Sequence, residues 1–369
     1  MKIILERKGF LQALLSVSRA VANKSTIPAL EGVMMLCEGE NLKLVAYNME
    51  IGMTTIVPAN IMRAGEVIIN AQDLCSFVRS LDGDEVTIEV NERFSCIIES
   101  GSTRYEVSGR PTSEFPEFPA LTDGRALKIS GELLKSMVRQ TIFAVSTRIE
   151  EKPIQTGILF DVKSGLLNMV SLDGNRLALR EEQVGNIQDI RFITAGVALG
   201  EVVKMIGDED VEVTINVGDR HVSFEIGDYT LISRLLDGEF IDYQNIMPKS
   251  FATNMKVSTR EFMSAVERTS LVASDRFRNP LRFNIKDKYM DMSCVSSKGR
   301  SDDSCEIEVT GDLIEIGFNN KYVIDALRAC ETDEITVNFN GSSAPMVIKP
   351  LEGNAFTFMI MPIRIKTEG

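Results

Sequence analysis

VALGEVVKMIGDEDVEVTINV, residues Val197–Val217, sets an apolar amphipathic run, an acidic turn and an alternating segment in that order. Two more alternating stretches follow, RHVSFEI (Arg220–Ile226) and YTLISRLLDGEFIDY (Tyr229–Tyr243). The same order is written near the N-terminus as DLCSFVRSLDGDEVTIEV (Asp73–Val90), RFSCIIES (Arg93–Ser100) and YEVSGRPTSEFPEF (Tyr105–Phe118). It returns near the C-terminus as YVIDALRACETDEITVNF (Tyr322–Phe339), PMVIKP (Pro345–Pro350) and FTFMIMPI (Phe356–Ile363). Internal repeats govern the fold before any single motif does, and this chain carries three copies of one module.

The spacing supports that reading. Leu74, Leu199 and Ile324, on the helix-like runs, stand 125 residues apart in both steps. The strand after the acidic turn is expected to open at Val86, Val211 and Ile335, in steps of 125 and 124. An earlier half repeats too: Phe10, Leu133 and Phe262 open the apolar stripes FLQALLSV, LLKSMVRQTI and FMSAVERTSLV, and Gly32 and Gly157 again stand 125 apart. A period this long makes each copy domain-sized rather than one turn of a solenoid.

Within a copy the order is a short strand, a helix, several strands, a second helix and further strands. Leu11, Leu14, Leu15 and Ser18 follow the i, i+3, i+4, i+7 helical period. Ser130 and Ser258 stand where N-caps belong, the second with Glu261 three residues on as in a capping box. Val86-Thr-Ile-Glu-Val and Val211-Glu-Val-Thr-Ile alternate with the period of a half-buried strand. Asp-Gly pairs at Asp82-Gly83, Asp173-Gly174 and Asp237-Gly238 break the runs. The fold class is α+β, mostly antiparallel sheet, in three tandem copies. Pro111, Pro116 and Pro119 ahead of Leu121-Thr-Asp-Gly mark one linker, and Met247-Pro-Lys-Ser-Phe-Ala-Thr-Asn marks the other. The expected domains are 1–120, 125–248 and 252–369.

Bulk properties narrow the function. With 369 residues, 44% of them apolar and 25% charged, the chain has the composition of an ordinary globular protein of two or three domains. No apolar run approaches the roughly 20 residues of a membrane span. MKIILERKGF is too short and too soon charged to serve as a signal peptide, so a cytoplasmic protein without membrane partners is expected. The six cysteines (Cys37, Cys75, Cys96, Cys294, Cys305, Cys330) form no CxxC pair and read as buried reduced thiols. His221 is the only histidine, which argues against a zinc site and a histidine general base. No metal or other cofactor is expected.

The net charge of −13 is unevenly spread. Helical windows 10–24, 71–81, 131–148, 197–206, 259–278 and 320–331 hold thirteen basic against eight acidic residues, leaving them at +5 and the remainder at −18. Lysine- and arginine-rich polar helix faces are common on their own account. The functional reading is a helical surface that faces a polyanion, with acidic sheet turned away from it.

Taken with SLDGNRLAL (Ser171–Leu179), LLDGEFIDY (Leu235–Tyr243), IGFN (Ile316–Asn319) and MPIRI (Met361–Ile365), the threefold repeat resembles the bacterial DNA polymerase III β subunit family, the sliding clamps, along the whole chain. The resemblance implies a head-to-tail homodimer whose six domains close a ring on duplex DNA, helices inside and sheet outside. Such a ring holds DNA by topology, so a weakly cationic inner wall without base readout is what it needs.

The resemblance further implies an apolar pocket for short peptides of polymerase III α and other polymerases, the clamp-loader δ subunit, and mismatch-repair and ligase-type proteins. It falls on Leu172, Gly174, Asn175, Arg176 and Leu177, on Ile241, Asn245 and Ile246, and on Met359, Ile360, Met361, Pro362, Ile363 and Arg364. Aliphatic and methionine side chains suit varied peptides; without the resemblance, Met361 and Ile363 read as the packing of a last strand. Leu172, Asn175 and Asn245 depart from the family's usual small polar residue, histidine and basic residue, which alters peptide preference. The tail Lys366–Gly369 runs past the usual family end. DNA contacts are implied at Lys24, Gln72 and Arg148 or its neighbour Ile149, and at Arg276 and Arg278. The ring joint is implied at Phe77, Leu81 and Arg104, meeting the 270–305 region of a second copy, where Arg276 is shared between the two roles.

No P-loop, GxSxG or Rossmann glycine signature is present, so no catalytic residue is assigned. The acidic turns Asp82-Gly-Asp-Glu and Asp208-Glu-Asp recur at one structural position, which favours a solvated turn over a metal site. Two other classes stay open on the residues alone: a three-domain protein-binding scaffold, and a nuclease using those turns.

Overall fold

The computed structural model describes all residues except 122–123, 149–151, 186–187, 208–210, 274–279 and 366–369. Helices are α1 (Arg7–Val17), α2 (Ala71–Ser80), α3 (Gly131–Ile142), α4 (Gly196–Met205), the short α5 (Tyr243–Ile246), α6 (Thr259–Ser270) and α7 (Asn320–Ala329).

Each copy begins with a strand that runs straight into a helix. The junction residue is Glu6, Ser130 or Ser258. The Glu6 carboxylate accepts from the Lys8 and Gly9 amides, which holds it below the usual carboxylate range. The Ser130 and Ser258 hydroxyls accept from the Leu133 and Glu261 amides, both at 3.4 Å. These caps supply acceptors to amides that the first helical turn leaves open. The first helical amide then donates to the residue just ahead of the strand that follows the second helix: Arg7 to the Asp84 carbonyl, Gly131 to that of Val211, and Thr259 to that of Asp333, at 2.8, 2.7 and 2.9 Å.

That ladder corrects the repeat spacing. Leu5 pairs with Val86, Ile129 with Val213 and Val257 with Ile335. The central strand therefore opens at Glu212 (Glu212–Val217), and Val213, not Val211, is the counterpart of Val86. Val211 and Val213 lie two apart on one face of an alternating segment, so the sequence pattern cannot tell them apart. The α1 stripe is also displaced by one residue. Phe10, Ala13, Leu14 and Val17 are buried, while Leu15 is 40% exposed.

By contact density the chain forms two compact units, Met1–Leu134 with Val197–Leu235, and Lys135–Gly196 with Leu236–Gly369. The first holds a five-stranded sheet in the order Asn60–Arg63, Lys2–Glu6, Glu85–Val90, Ser95–Ser100, Thr103–Ser108. It also holds an eight-stranded sheet: Arg125–Ser130, Glu212–Val217, His221–Ile226, Tyr229–Arg234, Ile51–Pro58, Asn41–Tyr47, Gly32–Glu38, Glu66–Asn70. The second unit holds a nine-stranded sheet: Ile190–Ala195, Gly157–Lys163, Leu166–Leu172, Arg176–Gln183, Phe356–Ile360, Met346–Pro350, Glu334–Phe339, Thr253–Ser258, Glu308–Gly311. Its four-stranded sheet is Gly299–Glu306, Tyr289–Ser296, Leu281–Ile285, Glu315–Phe318.

Neither long sheet stops at a copy boundary. Ile51–Pro58 of the first copy pairs antiparallel with Tyr229–Arg234, the last strand of the second, and Arg176–Gln183 of the second pairs with Phe356–Ile360, the last strand of the third. The registers agree: Tyr229 faces Thr55, and Phe356 faces Arg180.

In the second unit α6 and α7 bury Phe262, Ala265 and Val266, and Val323, Ala326 and Leu327, in a core that includes Phe283, Phe318, Phe339 and Phe358. Each fully buried phenylalanine contributes roughly 1.5–3 kcal/mol. All six cysteines are free; Cys75, Cys96, Cys294 and Cys305 are buried, whereas Cys37 and Cys330 are half-buried rather than enclosed. Burial pushes the Cys96 thiol up to about 11 and those of Cys305 and Cys330 up to about 12, which keeps them un-ionised near neutrality. His221 is a half-buried strand residue, its pKa lowered by burial and by Arg234 and Arg220. No helix among the described residues is long and apolar enough to cross a membrane.

Candidate partner-binding pocket

Leu172 and Leu177 close a β-hairpin whose four-residue turn is Asp173-Gly174-Asn175-Arg176. One Asp173 carboxylate oxygen accepts from the amides of Asn175 and Arg176, at 2.9 and 3.1 Å, and Gly174 takes the left-handed conformation (φ +86°) that such a turn demands. Both leucines are buried in an apolar cluster with Val170, Leu179, Val347 and Met359, and with Phe240 and Tyr243 from the segment that follows Leu235.

That segment is pinned from below. Phe240 and Tyr243 are buried, and the Tyr243 hydroxyl bonds the Asp161 carboxylate at 3.1 Å. Burial, with the negative charge of Asp161 next, pushes this phenol up to about 12. Between and beyond the anchors, Ile241 is 51% and Ile246 40% exposed. Asn245 is exposed and turns its amide back to Asp242 at 2.6 Å. The C-terminal segment supplies another wall. Met361 is 41% exposed while its amide donates to the Asn175 carbonyl at 2.8 Å; two residues on, the Ile363 amide donates to the Gly317 carbonyl at 2.8 Å. Pro362 and Ile363 are half-buried and Arg364 is exposed. Apolar side chains left open around a packed apolar floor are what an adaptable peptide site requires.

Two residues of the expected pocket stand elsewhere. Ile360 faces the opposite side of its strand and packs fully buried with Phe358 and Phe356 in the core of α6 and α7. The period of two explains it: Met359 and Ile360 cannot share a face. Arg176 is equally occupied. Its guanidinium bonds Asp173 at 3.0 Å and Asp325 of α7 at 2.7 Å, and lies over the rings of Tyr322 (4.5 Å) and Phe143 (5.7 Å). Sequence reading missed Asp325, Tyr322 and Phe143, because nothing in their spacing ties α3 and α7 to this turn. Beside the turn opens a polar cleft of about 490 Å³, lined by Arg148, Lys152 and Lys321 among others.

Of the residues expected to meet DNA, Lys24, Gln72 and Arg148 are exposed; Ile149, Arg276 and Arg278 lie outside the described residues. Several helix cations are already engaged: Lys204 with Glu201, Arg268 with Asp303 and Arg328 with Glu267. Arg19, Lys24, Arg79, Arg139, Arg260 and Lys321 form no ion pair among the described residues, so a smaller cationic charge is on offer than the residue count gives.

At the expected joint, Phe77 of α2 stacks on Tyr105 with ring centroids 4.6 Å apart, and Ser80 bonds the Tyr105 hydroxyl at 2.8 Å. Arg104 is exposed on the same edge strand. Leu81 is only 2% exposed, so it supports that edge from the core instead of presenting itself. The acidic turn Asp208–Asp210 and the tail Lys366–Gly369 lie outside the described residues, and among those described no group of three or more His, Cys, Asp or Glu side chains is placed to hold a metal ion.

Three tandem copies whose sheets pass from one to the next define the sliding-clamp class of fold. Comparison with known proteins agrees. Sequence profiles of the N-terminal, central and C-terminal domains of the DNA polymerase III β subunit match residues 1–119, 128–242 and 244–364. The β sliding clamp of Staphylococcus aureus is 28% identical over 375 aligned positions, covering 99% of each chain. Among solved structures, the DNA polymerase sliding clamp of Bacillus subtilis superposes with a TM-score of 0.96 at 28% identity over 99% of both chains. A putative β subunit from Eubacterium rectale gives 0.95 at 29% identity over the full length of both. The chain belongs to the DNA polymerase III β subunit family.

Proposed function

We propose that two copies of this chain close head to tail into a ring around duplex DNA and tether the replicative polymerase to it. The carrying observation is the sheet pattern. The third strand of the middle hairpin pairs with the last strand of the next copy at both passages inside the chain. Of the strands that take these two places in the three copies, two have no such partner and stand at sheet edges: Gly299–Glu306, the third hairpin strand of the last copy, and Thr103–Ser108, the last strand of the first. A long open edge invites another strand, and a second copy of the chain supplies the matching one. A strand that pairs head to tail closes a ring when the rotation closes.

Carrying the internal register across, with Pro280 as the counterpart of Gly32 and Gly157, sets Thr103 opposite Asp303 and Tyr105 opposite Ser301. Arg104 then faces Asp302 and Glu106 faces Arg300, an opposite-charge arrangement. Phe77 with Tyr105 on one edge, and Leu271, 79% exposed beside the other, would share an apolar contact.

In this reading the three domains (1–120, 125–248, 252–369) turn their helices to the DNA. Their modest free cationic charge lets phosphates slide, since every tight phosphate contact would brake the ring. The pocket receives apolar peptides of polymerase III α, other polymerases, the loader δ subunit, and repair and ligase-type proteins. The chain is a processivity subunit; the chemistry of nucleotide transfer belongs to the polymerase it serves. The experiment is retention on DNA. A dimer, twice the chain's 40.9 kDa, is expected to stay on nicked circular plasmid after loading and to run off when the plasmid is cut. A strict monomer, or equal loss from circle and linear DNA, would sink the proposal.

A further inference from the structure

We infer that Arg176 is a positioning residue that sets the partner pocket from outside, through Asp325 of α7, instead of a side chain that touches the bound peptide. The inference rests on the pocket reading above and deepens it. Three observations carry it. The guanidinium is engaged on both edges, by Asp173 within the turn and by Asp325 on α7, with only 9% of the side chain exposed. Its faces are covered as well, by Tyr322 of α7 and by Phe143 just past α3. Two of its five N–H donors are committed to carboxylates and both of its faces are stacked, so little of the fork is presented to a peptide. Thirdly, the turn it fixes is the one whose Asn175 carbonyl holds the Met361 amide at 2.8 Å.

The chain of contacts thus runs from Asp325 through Arg176 to the Asp173–Arg176 turn, from the turn to Met361, and so to the pocket wall. Asp325 itself is no part of the apolar cluster around Leu172 and Leu177. If Arg176 acts by position, removing Asp325 should damage peptide binding although no peptide reaches it. If Arg176 acts by contact, Asp325 should be dispensable.

The test is a double-mutant cycle on the full-length dimer, read by fluorescence anisotropy with a labelled peptide of polymerase III α that the unmodified protein binds. Arg176→Met and Asp325→Asn are each expected to weaken binding about tenfold, and the double variant no more than the worse single one, because both break one linkage. Amide hydrogen exchange at Met361 should quicken in both variants without any peptide present. Loss of affinity in Arg176→Met alone, with Asp325→Asn unchanged, would mean that Arg176 meets the peptide and would overturn the inference. A lowered melting temperature with unchanged affinity and unchanged Met361 exchange would overturn it too, leaving the pair a stabilising one only. Met361→Ala with Leu177→Ala serves as the control for the pocket itself. If that variant binds normally, the pocket assignment fails, while Met361 exchange in Asp325→Asn still decides whether the linkage holds the turn.

Discussion

The two passages of sheet between copies share a backbone and differ in what they carry. At the first, Tyr47 and Gly52 close a hairpin over Asn48-Met49-Glu50-Ile51; at the second, Leu172 and Leu177 close one over Asp173-Gly174-Asn175-Arg176. The turns match atom for atom. The Asn48 side chain accepts from the Glu50 and Ile51 amides as Asp173 does from Asn175 and Arg176, and Met49 is left-handed (φ +76°) where Gly174 is (φ +86°). The side chains then part company. At the first passage Tyr47 is buried and Phe118, from the following linker, meets it edge to face with centroids 5.7 Å apart. Phe118 fills the space a side chain at 52 would take, since a Cβ built on Gly52 would lie 2.5 Å from its ring. At the second passage two leucines and a methionine form the floor, the linker leaves Ile241 and Ile246 outward, and a C-terminal segment adds Met361. One passage carries an edge-to-face aromatic pair over a glycine; the other sets Phe240 and Tyr243 against two leucines and leaves Ile241, Ile246 and Met361 open.

The comparison breaks most visibly if the second passage is given the first one's tyrosine. Leu172→Tyr puts the Tyr47 side chain at its counterpart, in a floor with no room made for it. Overpacking of this sort costs about 1–3 kcal/mol locally, and peptide affinity is expected to fall at least about thirtyfold, which is about 2 kcal/mol. The dimer should persist, because the apolar cluster around Leu172 includes no residue of Thr103–Ser108 or Gly299–Glu306. Undiminished peptide binding by Leu172→Tyr would show that the aromatic pair does not explain why one passage lacks a pocket.

How far the sequence alone reaches follows from the same residues. Three copies, the α+β class and the Ser130 and Ser258 caps are legible because they are local patterns repeated at a fixed spacing. The strand register slipped by two at Val211, and the α1 stripe by one, because alternation and helical periodicity each admit a neighbouring solution that only packing settles. Continuation of the sheet across copies is not legible at all, since backbone hydrogen bonds at a strand edge carry no residue signature. Family resemblance brought Arg176 and Ile360 into the pocket list. Neither their true neighbours nor Asp325 has any mark in the motif that named them.

Emptying the first passage is the next smaller change. Phe118→Ala removes a half-buried ring that covers Gly52 and abuts Tyr47, so stability should fall by roughly 2 kcal/mol, below the range for a fully buried phenylalanine. Urea unfolding followed by far-UV circular dichroism reads this, and peptide affinity should stay as it was. Gain of a second peptide site would be the more informative surprise, making the aromatic pair the deciding difference between the passages. No change in either quantity would show that Phe118 packs there without consequence.

The smallest effect isolates the turn itself. A left-handed residue other than glycine costs about 1–2 kcal/mol from the approach of Cβ to the next carbonyl, whereas glycine loses about 0.5–1 kcal/mol more backbone entropy on folding. Nothing lies within 4 Å of a Cβ built on Gly174, so only the backbone would object to a side chain there. Gly174→Ala should therefore destabilise by about 1 kcal/mol, and Met49→Gly should stabilise by about 0.5 kcal/mol, the two changes moving in opposite directions at matching positions. Met49 is half exposed, and its carbonyl, which accepts from the Tyr47 hydroxyl at 3.3 Å, stays in place when the side chain goes. Loss of stability in Met49→Gly would mean that the methionine side chain holds the first turn by contacts its exposure does not suggest, and the two turns would then be alike in backbone only.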